Sequence, residues 1–283
     1  MLKDKKIAFL GAGPMAEAMI SGLVQSNKIP SNQIYVQNSS NRQRIEDLKK
    51  KYQISGGEAN SIDLSSMDLI VLAMQPSHII DALKNLKTSI TKDSYIISVV
   101  SSVSTEFMEE HLHEGQKVIR VMPNTSSMIG ESATAISLGK YVQADELQDI
   151  KEMLETIGQV YILEEKQMDL FTGIAGSGPA YFYSLMEQME KAAIENGIPA
   201  TMVRSIVAQT VYGAAKMVLE TGEDPAQLRE NVCAPNGPTE HGLKELELYG
   251  GNQAIVKAMF GTAKRSKEMG EPFQTNKKTS VHR

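Results

Sequence analysis

Residues Ile7 to Met19 read IAFLGAGPMAEAM: four apolar residues run directly into Gly11-Ala12-Gly13-Pro14-Met15-Ala16. An apolar run that breaks at glycine and restarts as an amphipathic segment is the first turn of a βα unit, and the spacing G-x-G-x-x-A has a mechanical meaning there. Gly11 permits the tight turn, Gly13 lets a pyrophosphate approach the backbone, and the small Ala16 lets the following helix lie close on the strand. Ala12, Pro14 and Met15 complete the loop. The helix start, with unpaired N–H groups and the positive end of its dipole, then receives the phosphates. The stretch predicts a dinucleotide site and an α/β first half.

The end of the second strand decides which dinucleotide. NAD sites place Asp or Glu there to accept from the ribose hydroxyls, whereas this chain reads VQNSSNRQR from Val36 to Arg44. Asn38, Ser39 and Ser40 are neutral donors, and Arg42 and Arg44 add positive charge. A carboxylate would repel a 2′-phosphate, while hydroxyls and guanidinium groups hold one by charge-assisted hydrogen bonds. The expected cofactor is NADPH. The same residues also suit a plain helix start, with Ser40 or Asn41 as the cap and Arg42 in water; the two readings are compatible.

Working outward, short apolar runs alternate with amphipathic segments, the pattern of a mostly parallel sheet. Expected strands are Ile7 to Leu10, Ile34 to Val36, Leu69 to Ala73, Tyr95 to Val99, Val118 to Met122 and Val160 to Leu163, with helices beginning near Met15, Arg42, Pro76 and Thr105. Leu147, Ile150, Leu154 and Ile157 fall on one helical face that Gly158 stops. Beyond Lys166 strand signals fade and long helical patterns take over. The fold class is α/β: an amino-terminal Rossmann-type doubly wound sheet over 1–164, then an all-helical domain over 165–283. Met202 to Val218 carries a wide apolar surface at helical period, which fits a core helix or a subunit interface equally.

Composition narrows the function classes. With 283 residues, 41% hydrophobic, 22% charged and a net charge of -5, the chain is globular, and its scattered basic residues do not suit a nucleic-acid partner. No run approaches the length that spans a bilayer, and the amino terminus has no secretory h-region. The one cysteine, Cys233, suits a reducing cytoplasm and an ordinary half-buried thiol. His111 and His113, two apart on an expected helix, read as solvated, and no histidine or cysteine has metal-site spacing. We expect no metal, no membrane and a small-molecule partner.

Four ordered motifs, GAGPMAEAM at Gly11 to Met19, VLAMQP at Val71 to Pro76, RVMPNTSSMIGE at Arg120 to Glu131 and TGIAGSGPAYFY at Thr172 to Tyr183, give a resemblance to the pyrroline-5-carboxylate reductase family along nearly the whole chain. A fifth, CAPNGPTEHGL at Cys233 to Leu243, matches in part. The resemblance implies a helical domain that builds a homodimer, often a larger ring of dimers. It gives Ala73, Met74, Gln75 and Pro76 to the loop after the family's fourth strand, beside the nicotinamide, and Asn60 to the adenosine ribose. Asn124, after a strand end, falls beside the reacting centre, although it also suits an ordinary turn. Gly176-Ser177-Gly178-Pro179 precedes a long helix and brings backbone close to a ligand or a neighbouring helix; the resemblance favours the ligand.

In the family the fifth motif commonly reads SPGGTT and holds the imino acid. Here Ala234 replaces serine, Asn236 a glycine and Pro238 the first threonine, while Gly237 and Thr239 are retained and Glu240 and His241 follow. Ser101-Ser102 likewise stands where the family often has Ala-Gly. Pro238 reads as the first residue of a helix, where its missing N–H costs nothing. Such a helix start can hold a carboxylate through backbone N–H groups. The implied substrate residues are Asn124, Ala234, Asn236, Gly237, Pro238 and Thr239, with the Thr239 hydroxyl as the catalytic group that orients the imine nitrogen or carboxylate. The implied reaction is hydride transfer from NADPH to the C=N bond of 1-pyrroline-5-carboxylate, giving L-proline. Two other readings are a related 3-hydroxy acid dehydrogenase and a catalytically silent NADP-binding regulator of the same fold.

Overall fold

The computed structural model describes residues 2–39, 41–58 and 61–273; Ser40 and Asn60, both assigned to the cofactor above, lie outside the described residues. Strands β1 (Ile7–Leu10), β2 (Ile34–Gln37), β3 (Ser55–Gly57), β4 (Leu69–Leu72), β5 (Tyr95–Ser98), β6 (Lys117–Met122), β7 (Ser132–Leu138) and β8 (Gly158–Ile162) form one sheet in the order β3-β2-β1-β4-β5-β6-β7-β8. The first six are parallel; β7 runs antiparallel to β6 and parallel to β8. Helices α1 (Pro14–Ser26), α2 (Arg42–Tyr52), α3 (Ile79–Ser89), α4 (Thr105–His111) and α5 (Gln148–Leu154) cover it.

Side chains alternate across a strand, and here both sets are buried. Ile7 and Phe9 of β1 join Met19 and Leu23 of α1, Ile45 and Leu48 of α2 and Ile150 of α5. Ala8 and Leu10 join the opposite core with Leu83 and Leu86 of α3 and Phe107 and Met108 of α4. A parallel sheet needs this double cover, which explains why β1 and β4 are continuous apolar runs. Each fully buried large side chain contributes about 1.5–3 kcal/mol before the entropy of ordering is set against it. The strand order reverses between β1 and β4, so their carboxyl ends open at the place where α/β sheets bind ligands.

Two strands were not anticipated. β3 is Ser-Gly-Gly, with no β-branched residue to mark it; a Cβ on Gly56 would sit 2.4 Å from the Val36 carbonyl oxygen. β7 is built from small residues, and its interior Ser132, Thr134 and Ser137 are buried. The expectation for the histidines is corrected. His111 is half-buried, with Nδ1 2.8 Å from the Phe107 carbonyl and its ring 4.2 Å from the Phe107 ring, and His113 lies beyond the end of α4.

After β8 come α6 (Met168–Phe171), a π-helical turn (Thr172–Gly176), α7 (Gly178–Glu195), α8 (Ala200–Thr221), α9 (Pro225–Asn231), α10 (Pro238–Leu248) and α11 (Gly251–Gly270). The chain divides into two compact units, 1–177 with 261–283, and 178–260. The change from strand to helix thus comes earlier than the change of unit. Asp169 of α6 accepts from the Ser266 hydroxyl at 2.7 Å, and Phe273 packs edge-on to Phe107 at 5.5 Å, so the end of α11 belongs to the first unit. In the second unit, Arg204 of α8 donates to Glu190 of α7 through Nε and a terminal nitrogen, both at 3.3 Å. Val203 and Val207 of α8 are buried, whereas Met202, Ile206, Tyr212, Met217 and Leu219 are exposed. No described helix is long and apolar enough to cross a membrane.

Candidate active site

The glycine loop is held from both sides. Gly11 N–H donates to the Gln37 carbonyl of β2 at 2.8 Å, and Ala73 N–H donates to the Leu10 carbonyl at 2.9 Å. Gly11 has φ +121°, and a Cβ there would lie 2.1 Å from the Ala73 carbonyl oxygen, so no other residue fits. Gly13 differs. Its φ of -73° suits any residue, yet nothing stands within 4 Å of where its Cβ would be. Its value is access. Pro14 opens α1, no side chain caps the helix, and Ala16 is fully buried. A surface that any Cβ would begin to fill, next to uncapped N–H groups, fits a diphosphate.

At the end of β2, Asn41 caps α2: its Oδ1 accepts from Arg44 N–H at 2.9 Å. The Arg42 side chain is 81% exposed and, among the described residues, pairs with Glu58 at 3.3 Å. An exposed pair of this kind is worth about 0–1 kcal/mol, so an incoming phosphate can take the guanidinium from it. Asn38 and Ser39 lie between β2 and that helix start. Arg44 departs from the expectation that it supplies charge toward the cofactor's ribose end. Its Nε donates to the Ala12 carbonyl at 3.0 Å and its terminal nitrogen pairs with Glu17 of α1. Glu17 also accepts from Lys51 at 2.9 Å and from the Tyr52 hydroxyl at 3.0 Å. Burial alone would raise the Glu17 pKa; Lys51, Arg44 and Tyr52 outweigh it and hold the carboxyl at about 2. Sequence reasoning missed this group, because Glu17 and Arg44 are 27 positions apart and neither falls at a fingerprint position.

Ala73 to Pro76 follow β4. The Ala73 backbone closes on Gly11, Met74 packs on the core beside α3, Gln75 is exposed, and Pro76 opens a short 3-10 turn into α3. After β6, Asn124 is 8% exposed and fully engaged. Its N–H donates to Ser132 Oγ at 3.1 Å, its Oδ1 accepts from Ser126 N–H at 2.9 Å, and its Nδ2 donates to the Ala175 carbonyl at 3.1 Å. The turn role is therefore present, and it ties the end of β6 to the π-helical segment. Arg120 of β6, 6% exposed at the side chain, ties the sheet to the short turn before α6, where its guanidinium meets Glu165 at 2.6 Å.

Within the second unit, the turn before α10 has the expected shape. Gly237 precedes the helix, Pro238 is its first residue, and Asn236 takes φ +58°, a left-handed conformation that Asn adopts more readily than most residues. Gly237 N–H donates to the Ala234 carbonyl at 2.9 Å. The Glu240 carboxylate accepts from Asn236 N–H and from Lys244 Nζ, both at 2.6 Å. Lys244 and then Asn236 hold that carboxyl below the usual range. Of the backbone donors expected for a carboxylate, those of Asn236 and Gly237 are thus engaged inside the loop. Thr239 and Glu240 carry the remaining N–H groups of the helix start, and Thr239 is exposed. Ala234, exposed, contributes no side-chain donor.

Known proteins of the same build place this arrangement. Residues 165–269 match the model described as pyrroline-5-carboxylate reductase dimerisation, and residues 6–102 match the model described as NADP oxidoreductase, coenzyme F420-dependent. A pyrroline-5-carboxylate reductase 1 of Bacillus spizizenii is 52% identical over 272 residues, covering 96% of this chain and 91% of the relative. The chain belongs to the pyrroline-5-carboxylate reductase family. A solved pyrroline-5-carboxylate reductase of Coxiella burnetii superposes with a TM-score of 0.85 at 30% identity, covering 94% of this chain and 99% of the other. The Plasmodium falciparum pyrroline carboxylate reductase, solved with NADP bound, gives 0.85 at 27% identity, covering 95% and 99%. The family's plan, a mostly parallel sheet followed by helices, is the plan seen here, and the 3-hydroxy acid dehydrogenase and silent-regulator readings are not favoured.

Proposed function

We propose that this chain reduces 1-pyrroline-5-carboxylate to L-proline with NADPH. The observation that carries the reading is the loop at the switch point, where Gly11 is fixed between Gln37 and Ala73 while Gly13 faces open space beside an uncapped helix start. Gly11, Ala12, Gly13, Pro14, Met15 and Ala16 would hold the diphosphate. Asn38, Ser39, Ser40 and Arg42 would hold the 2′-phosphate end, Asn60 the adenosine ribose, and Ala73 to Pro76 the nicotinamide end. When bound, NADPH supplies the hydride. The protein's part is to fix distance and orientation. Thr239 orients the imine nitrogen or carboxylate by its hydroxyl, and the N–H groups of Thr239 and Glu240 receive the carboxylate. Ala234, Asn236, Gly237 and Pro238 shape that turn, and Asn124 holds the strand end beside the reacting centre. A substrate imine that arrives protonated needs no His or Lys acid.

We assign cofactor binding to 1–164 and dimerisation and substrate binding to 165–283, with a homodimer as the working unit and a ring of dimers as its larger form. The dimerisation match over 165–269 and the exposed apolar residues of α8 support the dimer. The lone thiol, Cys233, supports a reducing cytoplasmic setting. The test is NADPH oxidation driven by pyrroline-5-carboxylate, in wild type and Thr239→Val. The variant keeps the shape and loses the hydroxyl, and kcat/KM should fall about tenfold for one hydrogen bond made in the transition state. Equal activity in Thr239→Val would remove Thr239 from the mechanism. Tight NADPH binding without turnover in wild type would return the silent-regulator reading.

A further inference from the structure

Arg44 stands at the end of a chain of contacts that leads into the glycine loop. Its Nε donates to the Ala12 carbonyl at 3.0 Å, and its other end pairs with Glu17, whose own N–H donates to the Gly13 carbonyl at 3.0 Å. A trans peptide sets C=O and N–H on opposite sides. Holding the Ala12 carbonyl toward Arg44 therefore turns the Gly13 N–H away from it and fixes its direction. Charge adds a second constraint. Glu17 is 13% exposed at the side chain, and an unopposed carboxylate one helical turn from a diphosphate would repel it; Arg44 and Lys51 oppose it.

We propose that Arg44 is a positioning residue for the diphosphate of the dinucleotide: through the Ala12 carbonyl it sets the Gly13 N–H, and through Glu17 it sets the local charge. It governs affinity for the part that NADPH and NADH share. The choice between them falls to Arg42, whose side chain is 81% exposed and, among the described residues, meets Glu58. Two arginines on one helix turn thus divide affinity from selectivity. This proposal rests on the dinucleotide reading of the glycine loop.

The test is to measure dissociation constants for NADPH, NADH and ADP with wild type, Arg44→Gln, Arg44→Lys and Arg42→Gln. ADP carries the diphosphate without the 2′-phosphate or nicotinamide. Arg44→Gln should weaken all three by a common factor of about ten, leaving the NADPH to NADH ratio unchanged. Arg44→Lys, which keeps the charge, should recover part of that loss. Arg42→Gln should weaken NADPH and spare ADP. If Arg44→Gln does not fold, Arg44→Lys carries the test through the same common factor. A loss confined to NADPH would make Arg44 a 2′-phosphate ligand and overturn the proposal, and so would unchanged ADP affinity with a lowered Tm, which marks a strut alone. Failure of wild type to bind any of the three would overturn the dinucleotide reading, and the proposal with it.

Discussion

The two units bury apolar surface by different means. In the first, α1 and α2 close on the sheet, and Ile20, Leu23, Ile34 and Ile45 are fully buried within one chain. In the second, α7, α8 and α10 leave Phe182, Tyr183, Leu185, Ile206, Tyr212 and Leu248 about half exposed or more. Exposed apolar surface on this scale marks an interface. The sheet core of the first unit is closed within one chain, whereas the second unit leaves a broad apolar surface open, in line with its dimerisation match. Substitutions in the first unit should therefore act through folding and cofactor, and those on the second through association.

The largest effect is expected at the rigid end of this contrast. Gly11→Ala puts a Cβ 2.1 Å from a carbonyl oxygen at φ +121°. It should cost about 3 kcal/mol or more, as strain and overpacking together. Thermal unfolding and NADPH titration measure it; a variant with wild-type Tm and affinity would show the loop is not so confined. Next is the boundary. A fragment of residues 1–164 leaves Arg120 without Glu165, and a buried charge that loses its partner costs about 3–5 kcal/mol. The fragment should bind NADPH and have no reductase activity, yet unfold at lower denaturant than a fragment that joins 1–177 to 261–273. Equal midpoints would deny that the end of α11 belongs to the first unit.

In the second unit the corresponding break is Ile206→Glu, a charge placed at an apolar position 48% exposed in the single chain. Its dimer dissociation constant should rise about a hundredfold, roughly 2.7 kcal/mol, with helicity kept. Light scattering against concentration reads this, and an unweakened dimer would move the interface elsewhere. A pH scan sharpens the first unit. Glu17 titrates at about 2 in the folded chain, against 4.5 unperturbed. Its folded pKa is depressed, so its stabilisation is present above pH 4.5 and is lost as pH falls through 2. Glu17→Gln should flatten the stability profile below pH 4.5; an unchanged profile would mean that other carboxylates dominate.

Sequence carried the first unit far because its determinants are local. β1, β4 and α1 announce themselves by apolar runs and glycine spacing, and Arg42 was placed at the start of α2. What escaped depends on distant partners. β3 is visible only against Val36, β7 hides in small residues, and Arg44 turns inward only because Glu17 lies across from it. In the second unit, the Asn236 turn and the Pro238 start were legible from φ preference and the missing N–H. That Glu240 occupies the Asn236 N–H was not, since a side chain's return to its own helix start leaves several rotamers open. The apolar period of α8 reports burial without saying in which chain.

The smallest expected change lies in the first unit, in the loop between β5 and α4. Ser102 holds φ +63°, where the family often has glycine. Ser102→Gly should relieve strain and stabilise by about 1 kcal/mol, seen as a rise in Tm; a fall would mean that its packing outweighs the backbone.

The proposed reaction turns on one transfer. NADPH carrying deuterium on the transferred face of its nicotinamide is incubated with pyrroline-5-carboxylate and the full chain, and the product is read by mass and NMR. The expected result is proline formed in step with NADPH consumed, with a single deuterium on the ring carbon that was doubly bonded to nitrogen. Proline without deuterium, or NADPH bound and left unconsumed, would contradict it.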